Sequence, residues 1–160
     1  MGRVGRGAGA VSGSRRILIV EDQAILGMEL EFALGETGHE VVGIAADARH
    51  ALALAAETKP DLAIVDINLR DGRTGLLVAQ KMAVGLGVTV LFATAEPELI
   101  PEQFAWAYGV VVKPYSSRSV HAAVEYCLAL REGLDPGPPP PHLRLAPWVT
   151  ARRAHGDGTH

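Results

Sequence analysis

The chain has 160 residues, of which 48% are hydrophobic and 21% are charged, so it is long enough to bury one core and too apolar to be disordered throughout. Its net charge of −3 is uneven, because residues 16–132 carry −7 while the segments before and after them carry +3 and +1. An acidic central part argues against general nucleic-acid binding, which needs a basic face, and suits metal ions better.

The two ends of the chain differ in composition from its middle. Residues 1–14 are rich in glycine and serine, and residues 133–160 contain Pro136 and the proline run 138–141, which favours flexible tails. The N-terminal residues lack the apolar run of a signal peptide, and no stretch is apolar for long enough to span a membrane. We therefore expect one domain over residues 15–132, a flexible tail on each side of it, and no output domain.

Between the tails, short apolar runs alternate with helical patterns. The apolar runs are rich in β-branched residues and predict five buried strands, at residues 17–20, 41–45, 62–65, 88–93 and 110–112. Helices are predicted at residues 23–37, 47–58, 74–85, 101–107 and 116–131. This alternation is typical of an α/β fold in which crossover helices cover a parallel sheet.

Several residues mark the helix ends and the core. Asp47 and Ser116 are predicted to be the N-caps of the second and fifth helices, and Pro101 is predicted to be the first residue of a short fourth helix. Cys127 lies on the apolar face of the fifth helix, so we expect it in the core. As the only cysteine it excludes an intramolecular disulfide, which fits a reducing compartment such as the cytoplasm.

Polar residues follow four of the five predicted strands, at the edge where open parallel sheets bind their ligands. They are Glu21 and Asp22 after the first strand, Asp66 and Asn68 after the third, Thr94 after the fourth, and Lys113 and Pro114 after the fifth. Three carboxylates in one place would repel one another without a cation, and an all-oxygen ligand set favours Mg2+ (or Mn2+) over zinc. An aspartate beside such an ion can attack phosphorus, and lysine and threonine side chains can bind the transferred oxygens.

Four segments in this order resemble the receiver domain of bacterial two-component response regulators. They are Ile-Leu-Ile-Val-Glu-Asp at 17–22, Asp-Leu-Ala-Ile-Val-Asp-Ile-Asn-Leu at 61–69, Phe-Ala-Thr-Ala at 92–95 and Lys-Pro at 113–114. The resemblance covers residues 16 to about 131. It implies a doubly wound, flavodoxin-like fold with three α/β/α layers, in which five parallel strands have the order 2-1-3-4-5.

The resemblance also implies roles for the polar residues. Asp66 would be the phosphoacceptor, Asp22 a direct Mg2+ ligand, Glu21 a ligand acting mainly through water, and Asn68 a ligand through its backbone carbonyl. Thr94 and Lys113 would bind the phosphoryl oxygens, with Ala95, Glu96 and Pro114 as supporting positions. In this family the Lys-Pro peptide bond is usually cis.

The resemblance further implies the partners. A sensor histidine kinase or a phosphotransfer protein would supply the phosphoryl group, and an unidentified downstream protein would respond to it. The protein would then be a signalling switch rather than an enzyme, apart from its own phosphotransfer and autodephosphorylation. We expect the readout on the face formed by the predicted fourth helix, fifth strand and fifth helix, which is also a candidate homodimer interface.

The sequence departs from the family at the switch position. Receivers commonly have an aromatic residue three positions before the lysine, where this chain has Val110; Tyr108 and Tyr115 are the nearby aromatic residues. Two positions that tune phosphoryl lifetime in the family hold Asn68 and Glu96, both able to orient a water molecule, so we expect a lifetime of seconds to minutes.

Other interpretations remain open at this point. Taken singly, Glu21 and Asp22 are also suited to capping the first helix, and Thr94 to capping a turn. One alternative is a receiver-like module that binds partners without phosphorylation, which Val110 favours. Another is a phosphohydrolase of the haloacid dehalogenase type, but its nucleophile usually follows the first strand and has a second aspartate two residues on, where this chain has Asn68.

Overall fold

The computed structural model describes residues 13–156, which form one six-stranded sheet with helices on both faces. The strands are β1 (Arg16–Val20), β2 (Glu40–Ala45), β3 (Leu62–Val65), β4 (Thr89–Thr94), β5 (Gly109–Val112) and β6 (Leu143–Leu145). Their order is β2-β1-β3-β4-β5-β6, with β6 antiparallel to β5 and all other pairs parallel. The predicted five-stranded order is confirmed, and β6 extends it.

Five α-helices accompany the sheet. They are α1 (Ala24–Glu36), α2 (Ala48–Thr58), α3 (Gly75–Gln80), α4 (Ser117–Arg131) and α5 (Pro147–Gly156), and α3 continues into a π-helical turn at Lys81–Gly85. One apolar cluster joins the sheet to α1 and α4, and another joins its opposite face to α2 and α3, which confirms the three predicted layers. None of the helices within residues 13–156 has the length and apolar character needed to cross a membrane.

The predicted helix ends are confirmed at α2 and α4. The side chain of Asp47 accepts a hydrogen bond from the backbone N–H of His50 at 2.9 Å. Ser116 and Ser119 form a reciprocal capping box at the start of α4. Cys127 is fully buried within α4, and this burial raises the pKa of its thiol to about 12.

The predicted helix at residues 101–107 is wrong. In its place is a tight turn at Phe104–Trp106, whose three residues have φ angles of 55°, 48° and 67°, and a 3-10 turn precedes it at Pro97–Leu99. A left-handed conformation costs a non-glycine residue about 1–2 kcal/mol, so contacts from elsewhere must hold this turn. Phe104 and Ala105 are buried, and the indole of Trp148 donates to the carbonyl of Ala107 at 2.8 Å.

The prediction of a flexible tail is wrong for β6 and α5. Leu143, Ala146 and Val149 have exposed fractions of only 6%, 0% and 4%. The physical reason is that β5 would otherwise be an edge strand with unpaired backbone groups, and β6 pairs with them. Residues 1–12 and 157–160 lie outside the described part of the chain. Nearly all of the predicted N-terminal tail, residues 1–14, therefore lies outside it as well.

Candidate functional site

Three carboxylates converge where β1 and β3 end at the same edge of the sheet. Asp66 follows β3, which lies between β1 and β4, while Glu21 and Asp22 follow β1. One oxygen of each carboxylate lies within 4.8 Å of the other two. Glu21 and Asp66 have exposed fractions of 4% and 6%, whereas Asp22 is exposed, so the cluster opens to solvent on the side of Asp22.

Lys113, which follows β5, joins two of these carboxylates. Its Nζ donates to Oε1 of Glu21 at 2.8 Å and to Oδ2 of Asp66 at 2.7 Å. Burial by itself would lower the pKa of Lys113, but the hydrogen bonds to Asp66 and Glu21 outweigh it and raise that pKa. Burial raises the pKa of Glu21, and the hydrogen bond from Lys113 partly opposes this. The peptide bond between Lys113 and Pro114 is cis, as the resemblance implies.

The loop that carries Asp66 packs directly against the start of α3. Oδ1 of Asp66 accepts a hydrogen bond from the backbone N–H of Asn68 at 3.3 Å, and the N–H of Gly75 donates to the carbonyl of Ile67 at 2.9 Å. A Cβ on Gly75 would lie 1.9 Å from the carbonyl oxygen of Asp66. Only glycine fits this approach, and no local motif in the sequence marks the position.

A short hydrogen-bonded chain connects the loops after β3 and β4. Nδ2 of Asn68 donates to Oε1 of Glu96 at 2.7 Å, and the backbone N–H of Glu96 donates to Oγ1 of Thr94 at 3.1 Å. Thr94 is fully buried, Ala95 is exposed, and Glu96 is partly exposed. Since the Thr94 oxygen accepts a hydrogen bond from Glu96, its own O–H remains available as a donor.

Val110, at the switch position, and the nearby Tyr108 and Tyr115 have different surroundings. Val110 is fully buried and pairs with Phe92 of β4 and Arg144 of β6. The ring of Tyr108 packs edge-on against Trp148, with 5.3 Å between ring centroids. The hydroxyl of Tyr115 is buried with no hydrogen-bond partner among the described residues, and burial raises its pKa to about 12.

The carboxylate cluster has the chemistry of a hard-cation site. Its donors are carboxylate oxygens, and within residues 13–156 the one ammonium that contacts it, from Lys113, offsets only one of three negative charges. A further positive charge would therefore be stabilised among Glu21, Asp22 and Asp66. Oxygen donors of this kind fit Mg2+ or Mn2+ rather than zinc.

Comparison with known proteins agrees with this geometry. Residues 17–125 match the family described as the response regulator receiver domain. The chain is 34% identical over 119 residues to the phyllosphere-induced regulator PhyR of Methylorubrum extorquens, a match that covers 72% of this chain and 44% of that protein. It is 36% identical over 118 residues to the transcriptional regulatory protein PdtaR of Mycobacterium tuberculosis, with coverages of 72% and 57%.

A solved structure shows the same likeness in three dimensions. The response regulator PhyR from Brucella abortus superposes with a TM-score of 0.68 at 29% identity, covering 92% of this chain and 54% of that one. The chain thus spans about half the length of the curated relatives it matches.

Proposed function

This chain belongs to the response regulator receiver domain family, and from that premise we propose that it accepts a phosphoryl group on Asp66 and signals through contact with another protein. The observation that carries the proposal is the convergence of Asp66 with Glu21, Asp22 and Lys113 at the ends of β3, β1 and β5. Removing two carboxylates and a lysine from water beside a third, exposed carboxylate carries a desolvation cost, and functional sites are where such clusters concentrate.

The residues have distinct roles in this proposal. Glu21, Asp22 and Asp66 would hold Mg2+ or Mn2+ through carboxylate oxygens, with the backbone carbonyl of Asn68 as a further ligand. When bound, a divalent cation offsets the negative charge of the carboxylates and of the phosphoryl oxygens. This protein's own residues do the positioning, since β1 and β3 fix the carboxylates before any phosphodonor arrives.

In the transfer itself, a carboxylate oxygen of Asp66 attacks phosphorus. The new O–P bond forms as the bond from phosphorus to the donor's imidazole nitrogen breaks, and the bonding electrons leave with that nitrogen. The nitrogen that leaves takes up a proton, and the phosphoryl oxygens bring about two negative charges to Asp66. Lys113, which donates to Asp66 beforehand, and the O–H of Thr94 would donate to these oxygens.

An exposed apolar patch on α1 supports a protein as the phosphodonor. Ile25, Met28 and Phe32 are exposed by 70%, 61% and 70%, and they lie on one side of α1. The helix begins at Ala24, two residues after Asp22, so the patch lies beside the open side of the cluster. We propose that a sensor histidine kinase or a phosphotransfer protein docks here, in the cytoplasm.

The downstream response involves another protein. Relatives of this chain are named as regulators, and the output face predicted from the sequence is altered, since its helix at 101–107 is replaced by turns and the edge of β5 is paired with β6. The buried Val110 favours a second candidate, a receiver-like module that binds its partner without phosphorylation.

Acetyl phosphate distinguishes the two candidates. The full chain is incubated with acetyl phosphate and Mg2+, and its intact mass is compared with that of Asp66→Asn. Asp47→Asn is the matched control, because asparagine also caps a helix well. We expect one phosphoryl group on the parent and on the control, and none on Asp66→Asn. Absence of label from all three would favour the phosphorylation-independent module.

A further inference from the structure

Residues 134–156, called here the C-terminal segment, occupy an edge of the sheet that would otherwise be open. β6 pairs antiparallel with β5 through Gly109 and Leu145, Val110 and Arg144, and Val111 and Leu143. One residue further on, the N–H of Ala146 donates to the carbonyl of Tyr108 at 2.8 Å. The segment thereby satisfies backbone groups that an edge strand leaves available to any extended chain.

β5 is shaped to receive a strand at this edge. A Cβ on Gly109 would lie 2.7 Å from the carbonyl oxygen of Arg144 and 3.0 Å from Cδ1 of Leu143. The three atoms nearest to that position all belong to β6. The glycine therefore makes room for the docked strand.

Beyond β6, an aromatic anchor completes the contact. The indole N–H of Trp148 donates to the carbonyl of Ala107 at 2.8 Å. Its ring packs edge-on against Tyr108 and Trp106, with centroid distances of 5.3 Å and 5.9 Å. Trp148 thus holds the left-handed turn that ends at Trp106, which is the part of the chain where the sequence favours a helix instead.

The C-terminal segment is attached through the short strand β6, the ring of Trp148, and Arg153, which donates to the hydroxyl of Tyr126 in α4. β6 has three residues, its connection to α4 contains the proline run 138–141, and most residues of α5 are exposed. Elements with few buried contacts open more readily than the core of a fold. The strand that β6 pairs with, β5, is also the neighbour of the strand that carries Thr94, because Thr94 of β4 pairs with Val112 at the end of β5.

We propose that the edge of β5, together with the carbonyl of Ala107 and the rings of Trp106 and Tyr108, is a docking surface for an extended segment of a partner protein. The C-terminal segment occupies this surface within the chain and shows what fits it. The pattern is a leucine, a leucine two residues later and a tryptophan three residues after that, as in Leu143, Leu145 and Trp148. The partner binds by adding a strand in place of β6. This inference goes beyond the proposed function and does not depend on phosphorylation of Asp66.

A synthetic peptide of residues 140–156 is the probe, and its binding to the full chain is followed by the anisotropy of an attached dye. The test variant is Leu143→Ser with Trp148→Ala, which weakens the intramolecular segment. We expect this variant to bind the peptide at least tenfold more tightly than the parent does. Adding Gly109→Ala should abolish binding, and a peptide carrying the same two substitutions should not bind.

A disulfide provides the matched lock. Because Ala146 donates to Tyr108, the pairs along β5 and β6 alternate, and Val111 and Leu143 are a non-hydrogen-bonded pair whose Cα separation suits a disulfide. The variant is Val111→Cys with Leu143→Cys in a Cys127→Ala background. The oxidised protein, in which the disulfide holds β6 on β5, should not bind the peptide. Reducing the disulfide should restore binding to the level measured for the same variant before oxidation.

Hydrogen exchange shows whether the substitutions release β6 alone or unfold the whole sheet. In the test variant the amides of residues 143–149 should lose protection while those of β1, β3 and β4 keep it. Three results would overturn the proposal: equal peptide binding by parent and variant, no binding by a variant with a released β6, or loss of protection throughout the sheet. A doubled mass from exchange of the segment between two chains would also overturn it, because it assigns the surface to a second copy.

Discussion

Replacing Gly75 by alanine tests how closely the acceptor loop depends on α3. The added Cβ would lie 1.9 Å from the carbonyl oxygen of Asp66 and 2.6 Å from Cα of Ile67. Ordinary contacts begin near 3.4 Å, so the two backbones must separate by about 1.5 Å. Both neighbours are backbone atoms, and no side-chain rotation relieves the clash. We expect a loss of roughly 3 kcal/mol in the free energy of unfolding.

The same displacement should weaken phosphorylation. A shift of about 1 Å in a reacting group costs on the order of 100-fold in rate. For a chain of this size, a loss of roughly 3 kcal/mol lowers Tm by about 6–12 °C. The measurements are thermal unfolding and the rate of labelling by acetyl phosphate, made below the Tm of the variant.

Gly35→Ala is the control for this prediction. Gly35 lies in α1, and a Cβ there would meet nothing within 4 Å. It should raise stability by about 0.5–1 kcal/mol and leave labelling unchanged. A Gly75→Ala protein that unfolds at the temperature of the parent and labels at the parent's rate would refute the reasoning.

Four further predictions concern single side chains. Lys113→Met leaves two buried carboxylates without their cation and should lower the free energy of unfolding by roughly 3–5 kcal/mol, measured by thermal unfolding, with part of the loss recovered in Mg2+. A loss no larger than that of Lys81→Met, at an exposed lysine, would contradict this. Phe32→Ser should slow phosphotransfer from a histidine kinase and leave labelling by acetyl phosphate unchanged; equal slowing of both would argue against docking on α1. Burial raises the pKa of the Cys127 thiol to about 12, so on the order of one molecule in 10,000 carries the thiolate at pH 8. Cys127 should therefore react with thiol reagents only after unfolding, and its reactivity should rise with pH. Rapid reaction of the native protein at pH 8 would be inconsistent with this burial. The phosphorylated form should last seconds to minutes in Mg2+, and Glu96→Ala should lengthen this; a label on the parent that survives for hours would contradict it.

The central sheet could be predicted because its signals are local. Each parallel strand is a short apolar run buried on both faces, such as Leu62–Val65, and the polar residue that ends it falls at the ligand edge. The meeting of Asp66 with Glu21 and Lys113 follows from strand order alone, and the structure places these three side chains in direct contact through Lys113.

What could not be predicted depends on contacts between distant parts of the chain. The turn at Phe104–Trp106 follows from its contact with Trp148, more than 40 residues later, which overrides the local preference for a helix. Gly75 is set by the close approach of α3 to the acceptor loop.

β6 and α5 had signals of their own. Leu143, Arg144 and Leu145 alternate in polarity, and Pro147 stands at the first position of a helix. The proline run that precedes them dominates the composition of residues 133–160 and favours a tail. Taken separately from that run, residues 143–149 favour a short strand followed by a helix.

The most direct test of the account locates the phosphoryl group on the chain. The protein is phosphorylated with acetyl phosphate in Mg2+, the acyl phosphate is reduced with borohydride, which converts a phosphorylated aspartate to homoserine, and the peptides are mapped by mass. We expect homoserine at Asp66 and at no other aspartate. Modification of Asp22 in place of Asp66, or of neither residue, would contradict it.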